Sequence, residues 1–314
     1  MYIKQAFTFE NNWWRYLIGV FIIFIFWQFF GAVPLMIVAF MNTNDLNEFM
    51  TAAETNFMGI MDANLFLFLA ILTFVSGLIG VLITIRFIHN QSLKSLTTAR
   101  EKVDWKRIGF AFALVATVNI IFFIIGYFME PEVLQFNFNA IPFLILALIS
   151  IFLLPLQTSF EEYFFRGYLM QGLGVIFKNK WFPLIFTSVG FGLLHIFNPE
   201  VEKLGYISMV YYIGTGFLLG IITLMDDGLE LALGFHAANN IIAAMLVTTD
   251  WSVFQTDALF IDTSEPTAGL DIILPVLILY PIYLFIFAKK YNWTNWKEKL
   301  FGSVYEDSEG VLEE

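Results

Sequence analysis

The hydrophobic positions of this chain fall into eight long blocks separated by short polar connections, at roughly 16–40, 64–88, 107–129, 139–160, 181–198, 206–225, 229–249 and 269–288. A helix needs about 20 apolar residues to cross a bilayer core, so each block reads as a membrane span. The predicted fold class is all-α: a polytopic membrane helix bundle of about eight transmembrane helices. The first block is too long for a cleaved signal sequence and lacks a small-residue cleavage pattern, so it is expected to stay as the first helix. Gly214, Gly216 and Gly220 in the sixth block set small residues where a neighbouring helix can approach closely.

The polar connections fix an orientation. With the N-terminus inside, fifteen of the sixteen Lys and Arg residues fall on the cytoplasmic side and only Lys203 lies outside, as the retention of basic residues on that side requires. An even number of spans then puts both termini in the cytoplasm. Residues 1–15 read as a leader ending in the interfacial anchor Trp13-Trp14-Arg15. The basic connection His89–Arg107 reads either as a surface helix against anionic headgroups or as a solvated loop. One transmembrane domain, 1–290, holds all the candidate chemistry within 155–245. Residues 291–314 are expected to form a cytoplasmic acidic tail with Trp293 and Trp296 at the interface, disordered beyond about Ser303.

Composition narrows the function. The chain of 314 residues is 59% hydrophobic and 14% charged, with mean hydropathy +0.74, so it is an integral membrane protein. Its net charge of −11 comes largely from acids in outside loops that carry no base. The absence of cysteine removes disulfides, thiolate metal sites and cysteine nucleophiles together. No nucleic-acid signature, phosphate loop or internal repeat is visible. The expected partners are the lipid bilayer and a peptide or protein substrate at the membrane; the oligomeric state is left open.

Charged groups inside spans cost a few kcal/mol or more and tend to mark function. In "FEEYFFRGYL", Glu162 and Arg166 are four apart and can pair on one helix face, while Glu161, turned about 100° away, is left without a local partner. In "FGLLH", Phe191 and His195 lie one turn apart. In "HAANN", His236 and Asn240 share a face and could hold a developing oxyanion. Each group alone also fits a blander role: a snorkelling charge cluster, a packing histidine, an interhelical hydrogen bond. Three polar groups on three different helices form the pattern of one site assembled in a bundle core.

These three stretches match, in order, the motifs EExxxR, FxxxH and HxxxN, and the chain resembles the CAAX protease and bacteriocin-processing (CPBP, or Abi) family of intramembrane proteases. The resemblance covers Glu161 to Asn240. It implies an intramembrane endopeptidase of the CAAX prenyl protease 2 type, with a polar cavity open towards the cytoplasm. By that resemblance Glu161 activates a water that His195 helps to hold, Glu162 and Arg166 order the site with Phe191, and His236 with Asn240 binds the oxyanion. Members act on prenylated C-terminal peptides, or on peptide pheromones and bacteriocins, and nothing in the sequence selects among these substrates.

A metal ion stays open. Glu161, His195 and His236 could contribute to a Zn²⁺ site that acidifies water, but the Arg166 cation opposes a dication, and the reading adopted has no obligatory metal. Two rival functions use the same polar residues: a transporter, for which the expected midplane site and repeats are missing, and a non-catalytic scaffold that holds peptides. Asp226 and Asp227 are expected to be solvated helix-capping residues. The composition of the spans and the short loops suggest a bacterial plasma membrane. Catalysis requires the depths of Glu161, His195 and His236 to converge, which straight helices do not achieve. The fourth helix is therefore expected to continue past Glu161 to about Gly172, and the fifth to start near Lys178.

Overall fold

The computed structural model describes residues 1–54, 57–267 and 269–305. Among them, six helices are long and apolar enough to cross a membrane: α1 (Trp13–Met41), α2 (Ala63–Ile88), α3 (Trp105–Met129), α4 (Ala140–Phe177), α6 (Ser208–Asp226) and α8 (Ile272–Tyr291). The other two members of the bundle, α5 (Trp181–Leu193) and α7 (Glu230–Leu246), have 13 and 17 residues. The bundle is all-α in its membrane part, and the expected eight spans become six long helices and two short ones.

The short helices have physical causes. The fifth block does not run to residue 198: α5 stops at Leu193 and the chain turns through residues 194–197. Asn198 is extended before Pro199, because a residue preceding proline is pushed out of the helical region. His195 therefore sits on a turn and not inside a span. α7 is sheathed by protein. Every residue from Glu230 to Ala238 is buried, and the helix packs on α3, α4 and α6, so this half never has to match a bilayer with its own apolar face; beyond it the helix is partly open, with Ala243 exposed.

α4 is the longest element. It bends at Leu153, just before Pro155, loosens into a π-helical stretch at Tyr163–Leu169 and ends where Lys178 turns left-handed. Helix 4 thus continues past Glu161 as expected, and helix 5 follows after a three-residue connection. α5 and α6 are in backbone contact: a Cβ on Gly216 would collide with the Ser188 carbonyl, and one on Gly192 with Ile213.

The connections are more structured than their polarity suggests. The segment between α2 and α3 is neither a headgroup-bound surface helix nor a solvated loop, since its short helix Leu93–Thr97 and Thr98 are largely buried. His89 is fully buried; one ring nitrogen meets the Glu10 carbonyl at 2.6 Å and the other the Tyr168 hydroxyl at 2.8 Å. Asp226 is likewise buried, not solvated. Arg100 bridges Asp226 at 2.9 Å and Glu230 at 3.1 Å, Arg107 also reaches Asp226, and Trp293 donates to it at 3.1 Å. Asp227 does end α6, in the left-handed conformation, but accepts from the Tyr2 amide and from Lys299.

Both ends of the described chain therefore meet at the α6–α7 turn. Tyr2, Ile3 and Ala6 are buried there. Trp293, expected at the interface, and Val304 belong to the main core cluster, and Val304 N–H donates to the Lys178 carbonyl at 3.0 Å. The acidic tail from residue 306 lies outside the described residues. At the opposite end, three short strands form a sheet in the order β1-β3-β2. β1 (Leu134–Phe136) runs antiparallel to β3 (Phe260–Asp262), and β2 (Val247–Thr248) parallel to it.

Candidate active site

α4 and α7 cross where their polar residues face each other. Glu162 and Arg166, one turn apart on α4, are both fully buried and pair at 2.9 Å. The same Glu162 oxygen, Oε1, lies 2.8 Å from Nδ1 of His236. A carboxylate oxygen accepts, so this contact puts a hydrogen on Nδ1 and fixes the ring's orientation. Arg166 is held further by the Gly216 carbonyl of α6 at 3.2 Å and by the face of Phe191, 4.3 Å from its guanidinium carbon. The Gly216 approach that brings α6 backbone against α5 thus also supplies an acceptor to the buried cation.

The other edge of His236 faces Glu161. Nε2 is 3.4 Å from Glu161 Oε2, longer than the 2.7–2.9 Å or so of a tight charge-assisted bond. Glu161 and His236 are therefore neighbours without being locked together. Asn240, one turn along α7, donates its amide to Gln157 Oε1 at 3.1 Å. One Asn240 N–H remains.

His195 joins from the turn after α5. Its Nδ1 contacts the Phe191 carbonyl at 2.9 Å. A carbonyl only accepts, so Nδ1 carries the hydrogen and Nε2 keeps its lone pair. The ring stacks on Tyr212 of α6, with centroids 4.3 Å apart and planes 20° apart. Phe191 touches both histidine rings, its centroid 4.9 Å from that of His195 and 5.9 Å from that of His236. Among the described residues His195 has no ion pair or hydrogen bond with Glu161.

All seven residues singled out in the sequence belong to this one neighbourhood: Glu161, Glu162 and Arg166 on α4, Phe191 and His195 at the end of α5, His236 and Asn240 on α7. Three further members carry no charge and go unmarked in the sequence reading: Gln157, Tyr212 and Asn239. Gln157 had a signal, since it lies four residues before Glu161 and so on the same helix face. No group of three or more His, Asp or Glu side chains is gathered to hold a metal ion among the described residues. The Arg166 cation stacks on the Phe191 ring that touches both histidines.

A model of the type II CAAX prenyl endopeptidase Rce1-like family matches residues 137–242, the stretch that carries α4, α5, α6 and the site-bearing part of α7. The uncharacterized protein YyaK of Bacillus subtilis (strain 168) is 30% identical to this chain over 252 residues, which is 78% of this chain and 81% of the relative. The chain belongs to the Rce1-like family. No solved structure matches it.

Membership makes the chain a CAAX-type endopeptidase of the membrane, built as a multi-pass helical protein. In this Rce1-like chain the matched segment begins just before α4 and ends two residues after Asn240. The terminal segments and α1–α3, which lie outside the match, contribute Arg100, Arg107 and Trp293 to the buried ionic cluster, whose carboxylates Asp226 and Glu230 lie inside it, and the His89 contact to α4.

Proposed function

We propose that this chain hydrolyses a peptide bond of a membrane-associated peptide, with Glu161 as the general base on a water molecule. The observation that carries the proposal is His236, anchored through Nδ1 on Glu162 at 2.8 Å while its Nε2 edge stands 3.4 Å from Glu161, unlocked. Glu161 takes a proton from water as the oxygen attacks the scissile carbonyl carbon. The charge that develops on the carbonyl oxygen is met by the remaining N–H of Asn240 and by His236 acting as an imidazolium, whose Nδ1–H stays on Glu162 while Nε2–H donates to the oxyanion. The proton on Glu161 then passes to the leaving amine. His195 offers the lone pair of Nε2 as a second acceptor for the attacking water.

Glu162, Arg166 and Phe191 hold this arrangement and touch no substrate. No step is assigned to a metal, a choice supported by the neighbouring guanidinium. The substrate class follows the family: a prenylated C-terminal peptide, or another peptide presented at the bilayer. The source of YyaK supports a bacterial plasma membrane as the location. Reconstituted protein is tested on an internally quenched peptide ending in a prenylated CAAX sequence. Wild type should cleave it and Glu161→Gln, purified with the same yield and melting temperature, should not; equal turnover by the two proteins overturns the reading.

A further inference from the structure

α3 and α7 touch at one end and part at the other. A Cβ on Gly234 of α7 would collide with the Ile108 carbonyl of α3, and Ala111 and Val115 on α3 are buried. Two to three turns further along, contact gives way to a groove of about 290 Å³ whose walls include Asn119, Phe122 and Phe123 of α3, Ile242 and Ala243 of α7, and Val247 of β2. Phe122 and Ala243 are exposed, so the groove opens sideways, towards the bilayer. Its outer end is the three-stranded sheet, on the side of the bundle opposite the termini.

Of these six side chains only Asn119 is polar, and an amide in hydrocarbon is costly without hydrogen-bond partners. Its Nδ2 donates to Asn239 Oδ1 at 3.4 Å. Among the described residues its oxygen and its second N–H have no partner. Asn239 Nδ2 in turn donates to Asn240 Oδ1 at 3.3 Å, and Asn240 lies one turn from His236 on the same helix. Ile242 and Ala243 follow Asn240 by two and three residues, about 3–5 Å along the axis. The groove therefore starts beside the amide proposed to meet the oxyanion, and its one polar corner is hydrogen-bonded through to that amide.

Hydrolysis needs a reachable carbonyl, whereas a helical segment in a bilayer keeps its carbonyls on its own amides. The scissile stretch has to be extended, and each N–H and C=O freed in hydrocarbon needs another partner. The groove has partners at both ends. Asn119 has an acceptor and a donor to give. β2 is the outermost strand of its sheet, an edge to which an extended peptide can add. Between them lie aromatic and aliphatic walls for apolar side chains. A lipid tail would fill those walls and leave Asn119 unpaired, so the chemistry favours a peptide.

We propose that the α3–α7 groove is a substrate-binding site leading to the hydrolytic centre, and that it takes the apolar, membrane-embedded stretch of a peptide in extended form, with Asn119 bonding its backbone. This rests on the function proposed above and gives the substrate its path to the site.

The test uses the full chain reconstituted in lipid as Glu161→Gln, which should hold substrate without cutting it. A photoreactive benzophenone side chain replaces Phe123, Ile242 or, as a lipid-facing control, the exposed Phe285 of α8. The probe is a fluorescent peptide of about 20 apolar residues with no prenyl group. Adducts are expected from the two groove positions and not from Phe285. No adduct from the groove, equal adducts at all three positions, or adducts to lipid alone overturn the inference. Ala243→Phe fills the groove from an exposed position and should abolish the adduct at Phe123 with the melting temperature unchanged; an undiminished adduct also overturns it. With a quencher added, the same peptide reports cleavage by the chain that keeps Glu161. Asn119→Leu removes the amide at similar volume and should raise KM about threefold to tenfold, as loss of one hydrogen bond does, with kcat within about twofold, the pattern of lost uniform binding. A fall in kcat at unchanged KM would make Asn119 a support for Asn239 and overturn its contact with substrate. If wild type cleaves no faster than Glu161→Gln, the proposed function fails, and the adduct pattern still decides the groove.

Discussion

His236 and Glu162 are joined by a 2.8 Å contact between Nδ1 and Oε1, on the carboxylate oxygen that also receives Arg166. One buried oxygen thus orders two cationic or potentially cationic side chains from different helices. Glu162→Ala leaves the Arg166 charge buried without its partner, and removing one member of such a pair costs about 3–5 kcal/mol. A large drop in melting temperature in detergent is expected. Arg166→Ala should destabilise comparably, and the double substitution should be milder than the sum of the two.

His195→Ala should lower kcat by about 10²–10⁴, the usual range for a lost acid–base group, with little change in melting temperature, since the residue lies on a turn at the end of a helix. Tyr212→Phe keeps the ring that stacks on His195 and should retain activity. Tyr212→Leu removes the stack and should lose a part of it. Turnover on the quenched peptide, measured beside melting curves, separates these outcomes.

Dialysis against a strong chelator should leave turnover within about twofold of the untreated protein, because every proposed step uses Glu161, the two histidines and Asn240. Loss of activity that returns on adding Zn²⁺ would assign the water to a metal instead.

Gly216→Ala should disturb the site from outside it. The added methyl meets the Ser188 carbonyl, and forcing α6 away from α5 costs about 1–3 kcal/mol as overpacking does. It also draws the Gly216 carbonyl away from Arg166. Lower stability and lower kcat are both expected, whereas Gly109→Ala, where a Cβ meets open space, should change neither.

The His89 contact predicts a pH dependence of stability. Burial pushes the imidazole pKa below its ordinary value, about 6.5 in a free chain. The folded state therefore binds the proton less readily than the unfolded one, so stability is complete above the unfolded value and is lost as pH falls through it towards the folded value. Melting temperature measured from pH 7.5 down to pH 5 should fall more steeply in wild type than in His89→Gln; parallel curves would remove His89 from the account.

How much of this was legible follows from what burial by lipid and burial by protein each demand. Lipid-facing helices must be apolar throughout, so α1 to α4 stand out as blocks. α7 is enclosed by protein over its first half and packed on three helices along its length, so it tolerates His236, Asn239 and Asn240 and is shorter than a span. The end of α5 was written in Asn198-Pro199, a local signal that a long apolar run conceals. The seven charged or motif-bearing site residues were visible because charge is rare in such a chain. Tyr212 was not, since a neutral side chain acquires its role only from what it meets, and the one mark on Gln157 was its place four residues before Glu161. The ionic cluster of Arg100, Arg107, Asp226 and Glu230 joins positions more than a hundred residues apart, and no periodicity connects them.

The sheathing of α7 also bears on how the protein is made. A 17-residue segment with Glu230 at one end and three polar residues along its length is a poor candidate for entering a bilayer by itself, given the cost of each such group at depth. Its neighbours α3, α4 and α6 all precede it in the chain and provide the walls it needs. The helix that carries half of the hydrolytic site is thus expected to enter only after the others have formed a slot. A chain lacking α3 should leave it stranded at the membrane surface, with no active centre to misfire during synthesis.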